Sequence, residues 1–304
     1  MTPPEISVIV ANYNASPRLE MCLRALRRHE SRRPFEVIVV DDGSVDGSAE
    51  MVRREFPELR LIANEKNLGY AASCNLAIRI AQGRFIHLLN NDVELQPGAL
   101  DALADFLDRN PGAGTAGSLL LNDDGTVQIS AKALPTLRSA FFGGRSWFSR
   151  WLPDNRFSRQ ELQHWRAEEG VPFTAGYVSG ASLMVPRSVL DAIGELDERL
   201  FYFNDADFCK RIWNTGHTVY SVPAARSMHL NHQGGSRRTF RRRLWALSAF
   251  HYGAYIYARK HYTRGAWTPA HVFVVLGLGG RFVVTGVMQL VKEVAGTDRR
   301  AYGK

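Results

Sequence analysis

The sequence predicts an α/β fold, an open and mostly parallel sheet with helices on both faces, followed by a helical C-terminal segment. Three apolar runs carry the prediction: residues 6–14 (ISVIVANYN), 35–44 (FEVIVVDDGS) and 84–92 (RFIHLLNND). They are rich in Val, Ile and Leu without polar alternation, as strands buried on both faces are. Each is followed by a stretch of helical periodicity, so successive strands lie parallel. Each also ends on a polar tip, and ligands of such sheets bind at the carboxyl ends of the strands. Tyr13, Asn14, Asp41, Asp42, Asn91 and Asp92 are therefore expected on one edge.

The elements follow in order. Ser16-Pro17 starts a helix in which Leu19, Cys22, Leu23 and Leu26 recur at helical spacing, and the segment ends near Arg33. After the second strand, residues 43–48 form a turn feeding a helix through Phe56, and 59–63 is a third strand. Residues 70–82 make a helix closed by Gly83, the fourth strand runs to Leu89, and a helix over 98–109 stops at Asn110-Pro111. Residues 122–175, punctuated by Gly, Pro, Arg, Phe141, Phe142, Trp147 and Trp151, show no clear period and are expected to be irregular. A strand over 177–185, helices over 188–193 and 205–215, and a strand over 217–222 complete the body.

The chain has 304 residues with 45% hydrophobic content, enough for a sizeable core, and a net charge of +8. That average hides a division: residues 237–304 carry 13 Lys and Arg against Glu293 and Asp298, a net +11, leaving residues 1–236 at −3. A mildly acidic body with a basic, aromatic tail separates chemistry from attraction to something anionic. Three distant cysteines, Cys22, Cys74 and Cys209, suit a reducing cytoplasm and not a disulfide framework. Residues 1–5 lack the basic start of a secretory signal.

Four constellations carry chemistry. Asp41-Asp42-Gly43-Ser44 reads as a capped strand-to-helix turn, or as carboxylates accepting from a base or ribose over which Tyr13 stacks. No GxGxxG follows the first strand, which argues against a dinucleotide fingerprint. Asn90-Asn91-Asp92 offers oxygen ligands to a hard cation, Mg²⁺ or Mn²⁺, that bridges substrate phosphates. In 201–211 (FYFNDADFCKR), Asp205 can cap a helix whose inner face carries Phe208 and Ile212, or act as a base made more basic by apolar walls. His229 and His232 precede Gln233-Gly234-Gly235-Ser236, and either can complete a cation's coordination; no third His or Cys supports zinc.

Taken in order, VIVANYN, VVDDGSVDGS, NLGYAASCN, LLNND, VSGASLMV, LDERLFYFNDADFCKR and HQGGS resemble the family-2 inverting glycosyltransferases of the GT-A fold, over roughly residues 5–236. The likeness is to rhamnosyltransferase-like members that build cell-surface polysaccharide and share NxGxAxxxN, here Asn67, Gly69, Ala71 and Asn75. It implies a Rossmann-like nucleotide-diphospho-sugar transferase domain over 1–236. Tyr13, Asn14, Asp41, Asp42, Asn67, Gly69 and Asn91 would form the nucleotide site, Asp92 and His232 would hold a divalent cation, and Asp205 would be the catalytic base. Asp207, Arg211 and His229 would be acceptor-binding or secondary. Two positions depart from the family's pattern: the triplet keeps one carboxylate, and the usual Glu-Asp pair reads Asn204-Asp205.

The implied partners are a nucleotide-sugar donor and a glycan or lipid-linked acceptor, at the inner face of the cytoplasmic membrane. The tail (237–304) fits peripheral membrane contact: Arg237, Arg238 and Arg241 to Arg243 precede Trp245, Phe250, four tyrosines and Trp267, then the apolar stretch 272–291. Arg281 would cost about 2.5–3.5 kcal/mol at a bilayer centre, which favours an interfacial helix over a spanning one. No nucleic-acid-binding motif accompanies the arginines. Two rivals are a non-catalytic nucleotide-binding or scaffold protein and a nucleotidyltransferase, the latter lacking its early glycine-rich phosphate loop.

Overall fold

The computed structural model describes residues 3–136, 169–230, 239–263, 265 and 268–294. The chain divides into two compact units, Met1–Glu198 with Asn204–Asn231, and Arg199–Phe203 with His232–Lys304.

The first unit opens with the expected alternation: β1 (Ile6–Asn12), α1 (Ser16–Arg28), β2 (Phe35–Asp41), α2 (Ser48–Glu55), β3 (Arg60–Ala63), α3 (Tyr70–Ile80) and β4 (Phe85–Asn90). It continues through β5 (Val93–Leu95), α4 (Ala99–Arg109), β6 (Ala113–Leu121) and three two-residue strands, β7 (Ala131–Lys132), β8 (Phe173–Thr174) and β9 (Tyr177–Val178). β10 (Ser182–Pro186), α5 (Arg187–Ile193), α6 (Asn204–Asn214) and β11 (Thr218–His229) close it. The sheet order is β3-β2-β1-β4-β10-β6-β11-β5, with β8 also on β11. β3, β2, β1 and β4 run parallel, β10 enters antiparallel between β4 and β6, and β11 is parallel to β6.

The strands have two apolar faces because each feeds a separate core. Val8 and Val10 of β1 meet Leu19, Leu23 and Leu26 of α1, while Ile9 joins Ala71, Cys74 and Ile78 of α3 on the other side. Burying each of those leucines contributes about 1.5–3 kcal/mol. α6 presents Phe208 and Ile212, 1% and 0% exposed, to the second core, as its spacing predicts.

The short strands β5, β7 and β8 add to the expected elements, and three longer stretches also differ from expectation. β6 is built from AGTAGSLLL, whose small residues hide a strand; a Cβ on Gly117 would lie 2.7 Å from the Val178 side chain, so close packing selects them. The strand expected over 177–185 is split into β9 and β10 around Gly180. β11 continues past Pro223 by shifting register between Val222 and Arg226, the bulge that a proline inside a strand requires.

The second unit pairs α7 (Phe240–His261) with α8 (Pro269–Val294). Arg243 is ion-paired to Glu293 at one end and Tyr255 meets His271 toward the other, so the helices are antiparallel. Residues 199–203 belong here, not with the body: Phe201 packs edge-on to Trp245 at 4.8 Å, and Phe203 lies 5.2 Å from Phe250. Gly253 makes room, since a Cβ there would sit 2.8 Å from the Tyr202 carbonyl oxygen.

Candidate active site

Sheet register gathers the polar tips. Asn12 pairs with Asp41 across β1 and β2, and Ala11 with Asn90 across β1 and β4. Antiparallel β10 brings the Ala181 carbonyl onto the Asn90 N–H at 2.9 Å. Val93 of β5 pairs with His229 of β11, which puts that histidine beside Asp92.

Asp41 is 1% exposed and its oxygens are held from within: Oδ1 accepts from Asn12 at 2.9 Å and from the Ser44 hydroxyl at 2.7 Å, and Oδ2 from the Ser44 N–H at 3.1 Å. Asn91 extends the chain by donating to Asn12 Oδ1 at 2.7 Å. Asn14, at φ 49, donates its N–H to Ser44 Oγ and accepts from the Val45 N–H, both at 2.9 Å. Beside it Tyr13 is 52% exposed, a ring free of the core.

Asp42 turns the other way. Its Oδ1 accepts from Asn64 Nδ2 and the Leu68 N–H, both at 2.9 Å, and its Oδ2 from the Gly69 N–H at 2.8 Å, so it clamps the 64–69 loop. Asn67, on that loop, is exposed. Asn75 likewise braces the fold, exchanging 3.0 Å bonds with the Leu196 backbone and donating to Glu198 at 3.1 Å. The turn closes only around glycine: Gly43 has φ +74, and a Cβ there would meet Lys66 and Asn67 backbone atoms at 2.7–2.9 Å. Gly43→Ala is expected to destabilise the first unit by about 1–3 kcal/mol, read from denaturant unfolding, because strain and steric clash add.

Asp92 and His229 face each other, Oδ1 to Nε2 at 3.3 Å. His229 Nδ1 lies 2.6 Å from the Gln128 Oε1 acceptor, which fixes the ring with Nε2 turned toward Asp92. Asp92 Oδ1 is buried without a hydrogen bond, a costly state for a carboxylate unless a cation completes it. Among the described residues no cluster of three His, Cys, Asp or Glu forms a complete metal cage. One acidic and one imidazole ligand nevertheless suit a cation whose other ligands are water and phosphate. His232, expected as a metal ligand, lies outside the described residues.

Asp205 opens α6, where the helix N-terminus favours negative charge. Its carboxyl accepts from the Ala206 N–H at 2.9 Å. Loss of hydration pushes its pKa upward, against the opposing pull of Lys132 and of the Ala206 and Gly180 N–H groups. A Cβ on Gly180 would lie 3.8 Å from Asp205 Cβ and 4.0 Å from the Tyr70 hydroxyl, so the three positions adjoin one another. The Tyr70 pKa is raised by burial first, then by Cys74 and the charges of Asp205 and Asp92, so its hydroxyl is within electrostatic reach of both carboxylates.

Asp207, 0% exposed, is committed to Arg211 at 2.9 Å, and Arg211 also donates to the carbonyls of Ile193 and Gly194. Tyr70, Gln128 and Lys132 were not singled out by the sequence. Tyr70 reads there as a helix residue, though its place straight after Gly69 in NLGYAASCN is a signal; the other two lie in the aperiodic 122–175 region.

Residues 7–180 match the family described as Glycosyl transferase family 2. The chain is 30% identical over 274 residues to an N-acetylglucosaminyl-diphospho-decaprenol L-rhamnosyltransferase of Mycobacterium tuberculosis, covering 86% of each. In fold it is similar to mannosyltransferase PcManGT from Pyrobaculum calidifontis in complex with GDP-Man and Mn²⁺, with TM-score 0.57 and 17% identity over 100% of this chain and 82% of that one. The crystal structure of GalNAc-T7 with UDP, GalNAc and Mn²⁺ gives TM-score 0.54 and 15% identity over 91% of this chain, which spans 55% of that chain.

Proposed function

Because the chain belongs to glycosyl transferase family 2 and is a glycosyltransferase of GT-A fold, we propose that it moves L-rhamnose from a nucleotide donor onto an N-acetylglucosamine unit carried on a lipid diphosphate, in cell-surface polysaccharide synthesis. The observation that carries this reading is the gathering of Asp41, Asp92 with His229, and Asp205 at one sheet edge. Tyr13 offers its exposed ring to the base and Asp41, oriented by Asn12 and Ser44, accepts from base or ribose. Asp42, assigned to the nucleotide site by the resemblance, holds the 64–69 loop beside the donor, and Asn75 braces the fold behind it.

Asp205 accepts the proton of the acceptor hydroxyl as that oxygen bonds to the anomeric carbon. The bond from that carbon to the diphosphate breaks in the same step, and the nucleoside diphosphate departs with the electron pair, so one displacement inverts the centre. A retaining route needs a second carboxylate as nucleophile, and Asp207 is tied to Arg211. Asp92 and His229 would hold Mg²⁺ or Mn²⁺, which supplies positive charge to offset that of the leaving diphosphate. A lipid-linked acceptor places the reaction at a membrane, and the basic second unit supports contact with anionic lipid on its cytoplasmic side.

The test pairs a thermal-shift panel of UDP-, dTDP- and GDP-sugars, with Mg²⁺ or Mn²⁺, with a transfer assay onto synthetic N-acetylglucosaminyl-diphospho-prenol. One nucleotide-rhamnose is expected to stabilise the protein selectively and to label the lipid. Stabilisation by another sugar nucleotide, with label following that sugar, would overturn the rhamnose assignment.

A further inference from the structure

Helix α8 carries its polarity inside out. Its segment Pro269–Val291, 23 residues, is long and apolar enough to cross a membrane. Yet its polar side chains turn toward α7: the Arg281 guanidinium lies 5.9 Å from the Phe250 ring, His271 meets Tyr255 at 5.9 Å, and Thr285 and Gln289 are partly buried. The open side is apolar, with Leu276 70%, Val283 61% and Val284 60% exposed. A helix packed on a protein body and facing water shows the reverse arrangement.

We propose that α8 lies in the plane of an anionic bilayer, its open face sunk among the acyl chains and its polar side covered by α7 in place of water. This rests on the reading of a membrane-borne acceptor and gives it a physical mode. By length α8 could instead span, since 23 residues reach about 35 Å against a core of about 30 Å. Residues 199–203 argue against that: this non-helical segment packs on the middle of α7 through Phe201 and Phe203, and such backbone is not tolerated facing lipid. α7, and α8 beside it, therefore stay at the surface. Arg281, which on sequence alone speaks against deep burial, is turned to α7 and places no charge in the acyl region.

Charge selects the bilayer over a second copy of the chain. α7 has exposed Arg241 and Arg242 at its start and Arg259 and Lys260 at its end, which suit anionic headgroups and would repel in a symmetric pair. The exposed apolar surface is also wider than the narrow seam one partner helix covers.

The experiment is flotation of the intact protein with phosphatidylglycerol-containing vesicles at 0.1 M and 1 M NaCl. Burial among acyl chains is expected to resist 1 M NaCl, and V283D/V287D to release the protein at both salt concentrations. NBD probes attached at residues 276, 283 and 290 of single-site cysteine variants are expected to report one common depth. Release of the wild type by 1 M NaCl would leave a purely electrostatic contact and overturn the proposal, as would probe depths graded across the bilayer. A discrete vesicle-free dimer that V283D/V287D converts to monomer, without flotation, would assign the face to a second copy. Transfer to a water-soluble short-chain acceptor, run on the same samples, separates the two readings: it persists if only the lipid mode is wrong and fails if the assigned activity is wrong.

Discussion

Asp205→Asn is expected to lower the rate of sugar transfer by about 10²–10⁴-fold, the usual contribution of a positioned general base, while leaving the donor-induced thermal shift unchanged. The amide keeps the size of the carboxyl and can still accept from the Ala206 N–H, so the geometry is retained and only proton acceptance is lost. The pH profile gives the sharper readout. Loss of hydration raises the Asp205 pKa, and the base works only when deprotonated, so activity falls as pH drops through that raised value. The acidic limb of kcat/KM is therefore expected above the ordinary Asp pKa of about 3.9, and it should vanish in Asp205→Asn. Lys132 pulls the Asp205 pKa down; Lys132→Met removes that charge, raises the pKa further and should move the limb to higher pH. A full-rate Asp205→Asn enzyme, or a limb unmoved by Lys132→Met, would take the base role away from Asp205.

What could be read from the sequence was what local pattern encodes. β1, β2 and β4 combine unbroken apolar runs with polar tips, and the Leu19, Leu23, Leu26 spacing of α1 has one structural reading. β6 escaped because Gly117 answers the close approach of Val178 and Gly114 that of Ile212 and His217, contacts distant in sequence. The same limit applies in the site. Asp41 and Asp42 are neighbours with one chemistry, yet side chains at a strand end alternate in direction, so one meets Asn12 and the other the 64–69 loop. The aromatic run at 201–203 reads as a wall beside Asp205, whereas Phe201 and Phe203 are spent on α7. His229 looked secondary to His232 until the pairing of β5 with β11 set it beside Asp92.

That last pairing supports the second large effect. Asp92→Ala is expected to abolish the Mg²⁺- or Mn²⁺-dependent part of the donor-induced stabilisation, about 2.7 kcal/mol when ligand is present at 100 times its Kd, and most transfer with it. The cation-free protein decides what the loss means. Asp92 Oδ1 is buried and without a hydrogen bond, so removing the side chain removes an unsatisfied buried oxygen and should leave the melting temperature unchanged or higher. The local backbone survives the change because the Asp92 carbonyl, which accepts from the Leu230 N–H at 3.0 Å, is retained. If Asp92 served only as an ion-pair partner of His229, the outcome would reverse: the cation-free protein would melt lower and nucleotide binding would stay indifferent to Mg²⁺ and Mn²⁺. Gln128→Ala provides an intermediate case, since it removes the acceptor that fixes the His229 ring, together with the Nε2–H bond to Asn122, and leaves Asp92 and His229 themselves in place. Loss of such an outer partner lowers metal affinity by about 10–100-fold, so the cation titration should shift to higher concentration without losing its endpoint.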